Sequence, residues 1–308
     1  MKRHVDTPSN VALFGLGSMG FGMAGSLLRA GHRVHGVDLN PDAVDRLRAD
    51  GGEAGEAADV AGSLDAVVSV VLNAAQTEAV LFGGHGRDDG GIVAHLRPGA
   101  VVISCATVPP AFARDMAARC EAANVLYLDA PVSGGPGRAA SGELSIMASG
   151  SPEAFAAAGP LLEAMSSTVF ELGDAPGAGS AMKAVNQLLV GVQLAAMAEA
   201  VTFGMTQGVS PERFAEVIPK CAGTSWVLEN RVGHLVEGDW TPRSAVDIWP
   251  KDLGIVMEAA REAGFEAPLT EAALAQFAEA SDAGLGREDD AAVAKVYAAR
   301  SGLTLPGG

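Results

Sequence analysis

Cysteine, basic residues and unbroken apolar runs are all scarce in this chain, and each shortage removes a class of function. Its three cysteines, Cys105, Cys120 and Cys221, are an odd number without metal-ligand spacing. A disulfide framework and a zinc site are therefore not expected, and a reducing, cytoplasmic setting is. The six histidines, His4, His32, His35, His85, His95 and His234, are scattered, so no metal is expected from them either. Lys and Arg total 21 against 37 Asp and Glu, a formal net charge of −16. That balance argues against nucleic acid and anionic lipid as partners and requires any site for an acidic ligand to be locally positive. No uninterrupted apolar run approaches the ~20 residues of a membrane span, and the start shows no secretory pattern, so neither membrane nor export is expected.

What remains is a chain of 308 residues, long enough for two domains and a sizeable core. From residue 9 to about 175, short apolar runs alternate with helical stretches. Candidate strands are Val11 to Phe14, Arg33 to Val37, Ala66 to Leu72, Ala100 to Ile103, Val125 to Asp129, Leu144 to Ala148 and Thr168 to Leu172. Such alternation predicts an α/β architecture, a mainly parallel, doubly wound sheet with helices on both faces. Beyond Ser180 the strand signals vanish. Helical patterns continue at Ser180 to Gly208, Pro211 to Lys220, Trp226 to Val236, Trp249 to Ala263, Leu269 to Ala283 and Asp290 to Ala299. The first of these lacks proline and reads as one long, largely buried helix joining residues 1–178 to an all-helical domain of residues 179–308. Ligands in such folds bind at the carboxyl ends of the strands and between domains. The Gly83 to Gly91 cluster reads as a short surface loop, and Met19, Met23, Met182 and Met197 as core packing.

Three motifs carry chemistry. Gly15-Leu16-Gly17-Ser18-Met19-Gly20 lies between the first strand and a helix. There Gly15 permits the turn, Gly17 lets a pyrophosphate approach, Gly20 lets the helix pack on the sheet, and the helix start faces the phosphates. Asp38 ends the second strand 18 positions beyond Gly20. An acid there accepts from the ribose hydroxyls and repels a 2′-phosphate, which predicts NAD rather than NADP. Asp129-Ala-Pro-Val-Ser-Gly-Gly135 follows another strand, and bare N–H groups around Ser133, Gly134 and Gly135 suit a carboxylate. On the long helix, Lys183, Asn186 and Gln187 stand at i, i+3 and i+4 after a Gly177-Ala178-Gly179 entry.

These blocks, with Gly142-Glu143-Leu144, Met147 and Lys251-Asp252-Leu253, occur in the order of the β-hydroxyacid dehydrogenases and cover nearly the whole chain, which resembles that family of 3-hydroxyisobutyrate dehydrogenase and tartronate semialdehyde reductase. A finer resemblance is to the L-threonate dehydrogenase branch. It rests on Asn73 to Gln76, Gln187 to Leu189, Glu229 to Arg231, Thr241 to Ile248 and Glu288 to Asp290.

The resemblance implies oxidation of a small hydroxy acid by hydride transfer to NAD, with Lys183 handling the hydroxyl proton. It implies Ser133, Gly134, Gly135, Asn186 and Gln187 on the substrate, and Leu72, Asn73, Thr107 and Lys251 beside the fingerprint and Asp38 on the cofactor. It also implies a homodimer or homotetramer. An unperturbed lysine titrates near 10.4, and burial and the positive helix start are expected to bring Lys183 down.

Three positions depart from the broad pattern. Gln187 stands where a second asparagine is usual and reaches about one methylene further. Ala106 replaces the serine before Thr107, and Ser244 replaces a phenylalanine before Lys251. Together they favour a polyhydroxylated acid, L-threonate oxidised to 2-oxo-tetronate, over 3-hydroxyisobutyrate or tartronate semialdehyde. Lys251 either adds positive charge beside substrate or nicotinamide, or anchors a helix start. Arg231 and Arg243 read as solvated arginines before carboxylate ligands. An imine reductase is disfavoured by Lys183, and a regulatory NAD-binding protein needs neither the Ser133 turn nor Lys183.

Overall fold

The computed structural model describes residues 7–53, 57–84 and 90–307. His4, His85 and the middle of the Gly83 to Gly91 loop lie outside the described residues. The chain divides into two compact units, residues 1–183 and residues 184–308.

Unit 1 runs through β1 (Asn10–Phe14), α1 (Gly20–Ala30), β2 (Arg33–Val37), α2 (Pro41–Ala49), the single turn α3 (Ala57–Val60), β3 (Ala66–Ser69), α4 (Ala74–Phe82), β4 (Val101–Ser104), α5 (Pro110–Ala122) and β5 (Leu126–Asp129). It continues with β6 (Val132–Ser133), α6 (Gly135–Ser141), β7 (Leu144–Ala148), α7 (Pro152–Met165) and β8 (Ser166–Glu171). The first five strands form a parallel sheet in the order β2-β1-β3-β4-β5. Alternation along each strand feeds two cores, one on each face. Val11, Leu13, Val68, Ile103 and Leu128 point one way, and Ala12, Phe14, Val67, Val102 and Tyr127 the other. A sheet buried on both sides needs near-continuous apolar strands, which is why these runs stand out in the sequence.

Two expectations for this unit need correcting. The strand beginning at Ala66 ends at Ser69 rather than Leu72, because the chain turns there to start α4. Asn73 caps that helix by accepting from the Gln76 N–H at 2.9 Å, and the Leu72 N–H donates to Gln76 Oε1 at 2.9 Å. The last strands do not extend the parallel sheet. They form a separate one in the order β6-β7-β8, with β6 antiparallel to β7, so Val132 and Ser133 are strand residues rather than part of a turn.

The long helix α8 (Ala178–Thr206) starts at the end of unit 1 and runs on into unit 2. After it come α9 (Pro211–Val217), α10 (Trp226–Glu237), α11 (Ile248–Glu262), α12 (Pro268–Ala280) and α13 (Ala294–Arg300). Ser210 and Ser225 cap α9 and α10 by accepting from the N–H groups of Arg213 and Leu228. The core of unit 2 gathers Leu194, Met197, Val201, Leu228, Trp249 and Phe277, with Trp249 stacked on Phe277 at 5.4 Å.

α8 is less buried than its composition suggests: Met182, Val185, Leu189 and Phe203 are exposed, so Met182 is not core packing. By length and composition α8 could cross a membrane. Lys183 and Glu199 would make such a span costly, and its buried face belongs to protein cores.

Candidate active site

The glycine loop after β1 has the shape a dinucleotide phosphate needs. Gly15 sits at φ +93°, and a Cβ there would lie 2.8 Å from the Val70 carbonyl oxygen. At Gly20 a Cβ would strike the Gly15 carbonyl oxygen, whereas at Gly17 it would meet open space. Packing therefore demands the first and third glycines, and the second keeps the backbone bare beside the start of α1. No side chain caps that helix start, so its N–H groups suit a pyrophosphate.

Ser18 is exposed and Met19 half-buried, but Leu16 packs into the core. The Leu16 N–H donates to Asp38 Oδ2 at 2.6 Å, and the Asn40 N–H donates to Asp38 Oδ1 at 2.8 Å. Each carboxylate oxygen keeps further acceptor capacity for ribose hydroxyls. Leu72 is exposed after β3 and Thr107 half-buried after β4. The residues present fit NAD.

Asp129, at the end of β5, is the hub of unit 1. Its Oδ2 accepts from the Gly177 N–H at 2.9 Å, the Ser180 N–H at 2.8 Å and the Ser149 hydroxyl at 3.3 Å, while Oδ1 accepts from the Ser180 hydroxyl at 2.7 Å. Ser149 Oγ in turn accepts from the Gly179 N–H at 2.9 Å. Burial pushes the Asp129 carboxyl above the usual carboxylate range, against the pull of these donors. When ionised it places a negative charge on the start of α8, offsetting the positive helix end expected to act on Lys183. In the sequence Asp129 stands out only as the first residue of its motif, with no task of its own, and Ser149 and Ser180 carry no signal at all.

One turn beyond Ser180, the buried Lys183 donates from Nζ to the Val132 carbonyl oxygen at 3.0 Å. Lys183 is thus tied to the residue preceding Ser133. Gly134 at φ +132° and Gly135 at φ +75° turn the chain into α6, and a Cβ on Gly135 would meet open space. The Lys183 amine is thus anchored one residue before a serine and two turn glycines, in an otherwise acidic protein.

Unit 2 brings together a second group. The half-buried Asn186 donates from Nδ2 to Gln187 Oε1 at 2.9 Å, and Gln187 Nε2 donates to Asp252 Oδ2 at 2.5 Å. Lys251 Nζ donates to Asp252 Oδ1 at 2.5 Å. Gln187 is buried with both ends of its amide occupied, and Lys251 lies in the first turn of α11 with its charge paired.

Arg231 is not a solvated arginine. Its Nε donates to the buried Asp290 at 2.8 Å, and Trp249 Nε1 donates to the other oxygen of Asp290 at 3.1 Å. Arg243 is exposed and contributes its backbone N–H to Asp289. The Ser244 carbonyl accepts from the Asp290 N–H at 2.8 Å.

Comparison with known proteins covers both units. Residues 10–173 match the NAD binding domain of 6-phosphogluconate dehydrogenase, and residues 177–297 match the NAD-binding domain of NADP-dependent 3-hydroxyisobutyrate dehydrogenase. The chain is 49% identical to an L-threonate dehydrogenase of Cupriavidus necator, over 97% of this chain and 98% of that one. It is 45% identical to an L-threonate dehydrogenase of Escherichia coli K12, over 97% of both. A crystal structure of a 3-hydroxyisobutyrate dehydrogenase from Salmonella typhimurium superposes with a TM-score of 0.87 at 46% identity, covering 94% of this chain and 99% of that one.

Proposed function

Because the chain belongs to the β-hydroxyacid dehydrogenases, NAD-dependent oxidoreductases acting on hydroxy acids, we propose that its substrate is L-threonate, oxidised to 2-oxo-tetronate. The observation that carries the chemistry is the buried Lys183 amine held on the Val132 carbonyl, one residue before Ser133 in the chain. The near-full-length similarity to L-threonate dehydrogenases supports the choice of acid. When bound, the nicotinamide supplies a hydride acceptor for the carbinol carbon. Lys183, as the neutral amine, takes the hydroxyl proton, and in reverse its ammonium donates that proton to the carbonyl oxygen. The Val132 carbonyl holds Nζ in place for both directions. Ser133, Gly134 and Gly135 hold the carboxylate through the hydroxyl and backbone N–H groups, and Asn186 and Gln187 set the recognition of hydroxyls.

On the cofactor side, Gly15 to Gly20 receive the pyrophosphate, Asp38 the ribose, and Leu72, Asn73 and Thr107 border the nicotinamide half, with Lys251 as a neighbour whose charge Asp252 pairs. The acid at position 38 supports NAD over NADP. Residues 1–178 would act as the NAD-binding domain and residues 179–308 as the substrate and oligomerisation domain. Exposed Val185, Leu189, Phe203 and Trp226 support a homodimer or homotetramer. The free thiols Cys105, Cys120 and Cys221 support a cytoplasmic enzyme of sugar-acid metabolism.

The test is the initial rate of NADH formation with L-threonate, D-threonate, the erythronates, 3-hydroxyisobutyrate and glycerate, repeated with NADP. Preference for L-threonate with NAD supports the reading. Preference for 3-hydroxyisobutyrate moves the chain to another branch of the same chemistry, and tight NAD binding without turnover on any acid makes it a regulatory protein.

A further inference from the structure

The chain of side chains from Asp252 through Gln187 to Asn186 has a direction that chemistry dictates. An ionised carboxylate only accepts hydrogen bonds. Asp252, 2% exposed, uses Oδ1 for the Lys251 ammonium and Oδ2 for Gln187. The end of the Gln187 amide that faces Asp252 must therefore be its NH₂, since the reversed amide would set oxygen against oxygen at 2.5 Å in a buried place. This leaves Gln187 Oε1 at the other end, where only a donor fits, and the Asn186 Nδ2 supplies it at 2.9 Å. Two amides are thereby locked in series, and the end of Asn186 left for a ligand is its oxygen, not its nitrogen.

We infer that Asp252 is a positioning residue for substrate selection: acting through Gln187, it fixes Asn186 Oδ1 as an acceptor that requires a hydroxyl donor on the substrate. The inference rests on the reading of the substrate as a polyhydroxylated acid. The hydroxyl being oxidised gives its proton to Lys183, so the hydroxyl that Asn186 reads is a second one. A site built to accept from a hydroxyl discriminates strongly against an analogue lacking it, because its own polar atom is then left unpaired. Gln187, which the sequence suggests as a longer arm toward substrate, works here as the link between an acid and an amide. Lys251 has the matching role of countercharge to Asp252, keeping one of its oxygens occupied.

The experiment compares kcat/KM for L-threonate with that for its 3-deoxy-3-fluoro and 4-deoxy-4-fluoro analogues, whose fluorine can accept but not donate a hydrogen bond, in the wild-type enzyme and in Asp252→Asn. The wild type is expected to prefer L-threonate over one analogue by about tenfold or more, the size of a lost hydrogen bond. The Lys251 ammonium still needs an acceptor, so an asparagine at position 252 keeps its oxygen toward Lys251 and turns its NH₂ to Gln187, which reverses both amides and leaves Asn186 Nδ2 for the substrate. The preference is then expected to collapse toward unity through a fall in KM for that fluoro analogue, since an outward N–H serves a fluorine as well as a hydroxyl, at wild-type Tm. If Asp252→Asn does not fold, Gln187→Met keeps the buried volume, cuts the same link and frees Asn186 to turn either end to the substrate, which is expected to lower the preference in the same direction. A wild type that discriminates, with a variant that discriminates equally whatever its kcat, overturns the positioning role and leaves the substrate reading intact. A wild type that turns over L-threonate without discriminating overturns the inference alone, and one that does not turn it over overturns the substrate reading and the inference with it.

Discussion

Replacing Asp129 separates the worth of its hydrogen bonds from the worth of its charge. In Asp129→Ala four donors lose their acceptor. The Ser149 and Ser180 hydroxyls can rotate to other partners, but the N–H groups of Gly177 and Ser180 are fixed by the backbone. Each stranded buried N–H costs about 1–3 kcal/mol, so unit 1 should lose about 2–6 kcal/mol. For a unit of this size that is a fall in Tm of roughly 5–20 °C. Asp129→Asn should behave differently. Turned with its oxygen in the Oδ2 position, asparagine still accepts from Gly177, Ser180 N–H and Ser149, while its NH₂ donates to a Ser180 hydroxyl that has only to rotate. The bonds weaken with the loss of charge, but the cost of burying that charge disappears as well, the same cost that raises the Asp129 pKa. The expected net change is within about 1 kcal/mol. Differential scanning calorimetry of the three proteins decides. If alanine lies within about 2 °C of wild type, well inside the span expected for stranded donors, they are satisfied elsewhere; if asparagine is as damaging as alanine, charge rather than hydrogen bonding holds the start of α8. Turnover should follow stability, since Lys183 stands one turn further along the same helix.

Lys183→Ala should cut kcat by ~10² or more while leaving NAD affinity measured by fluorescence unchanged, and near-normal turnover would remove the lysine from the mechanism. Burial lowers the pKa of His32 and of His35 below 6.5, with a backbone hydrogen bond and Glu53 respectively opposing it. Depressed folded values mean stability that is present above about pH 6.5 and lost as pH falls through them, so Tm should drop on acidification. The drop should be smaller in a His32→Asn, His35→Gln double variant, and equal slopes would exclude these groups as its source. Burial pushes the Cys105 and Cys120 thiols up to about 12, so a thiol reagent at about pH 8 should label only the exposed Cys221 in the native protein. Rapid modification of either buried thiol would contradict the packing around it.

Much of unit 1 is legible in the linear sequence. Strands buried on both faces must be apolar throughout, and Gly15 and Gly20 of the phosphate loop answer to steric demands that no other residue meets. The helices of unit 2 read nearly as well, because their apolar periodicity and serine caps are local. Ser166 to Glu171 pair in a second sheet for reasons that no local pattern carries, and Val132 and Ser133 become a strand only because Ser145 and Ile146 lie opposite. The exposed face of α8 hides in the sequence for a related reason: Met182, Val185 and Leu189 look like core residues because composition does not reveal which side of a helix is covered.

For the candidate site the division is between residue type and residue partner. The sequence by itself determined that an NAD-type loop, a Ser-Gly-Gly turn and a lysine with two amides exist in this order, since each depends on local spacing and on the chemistry of its own side chains. Only the tertiary structure decided that Asp129 ties the start of α8 to Ser149, that Lys183 reaches the Val132 carbonyl, that Gln187 turns to Asp252, and that Arg231 is consumed by Asp290. Each of these joins residues far apart in the chain, and a donor's choice among acceptors is made by distance and burial, which a linear order does not contain.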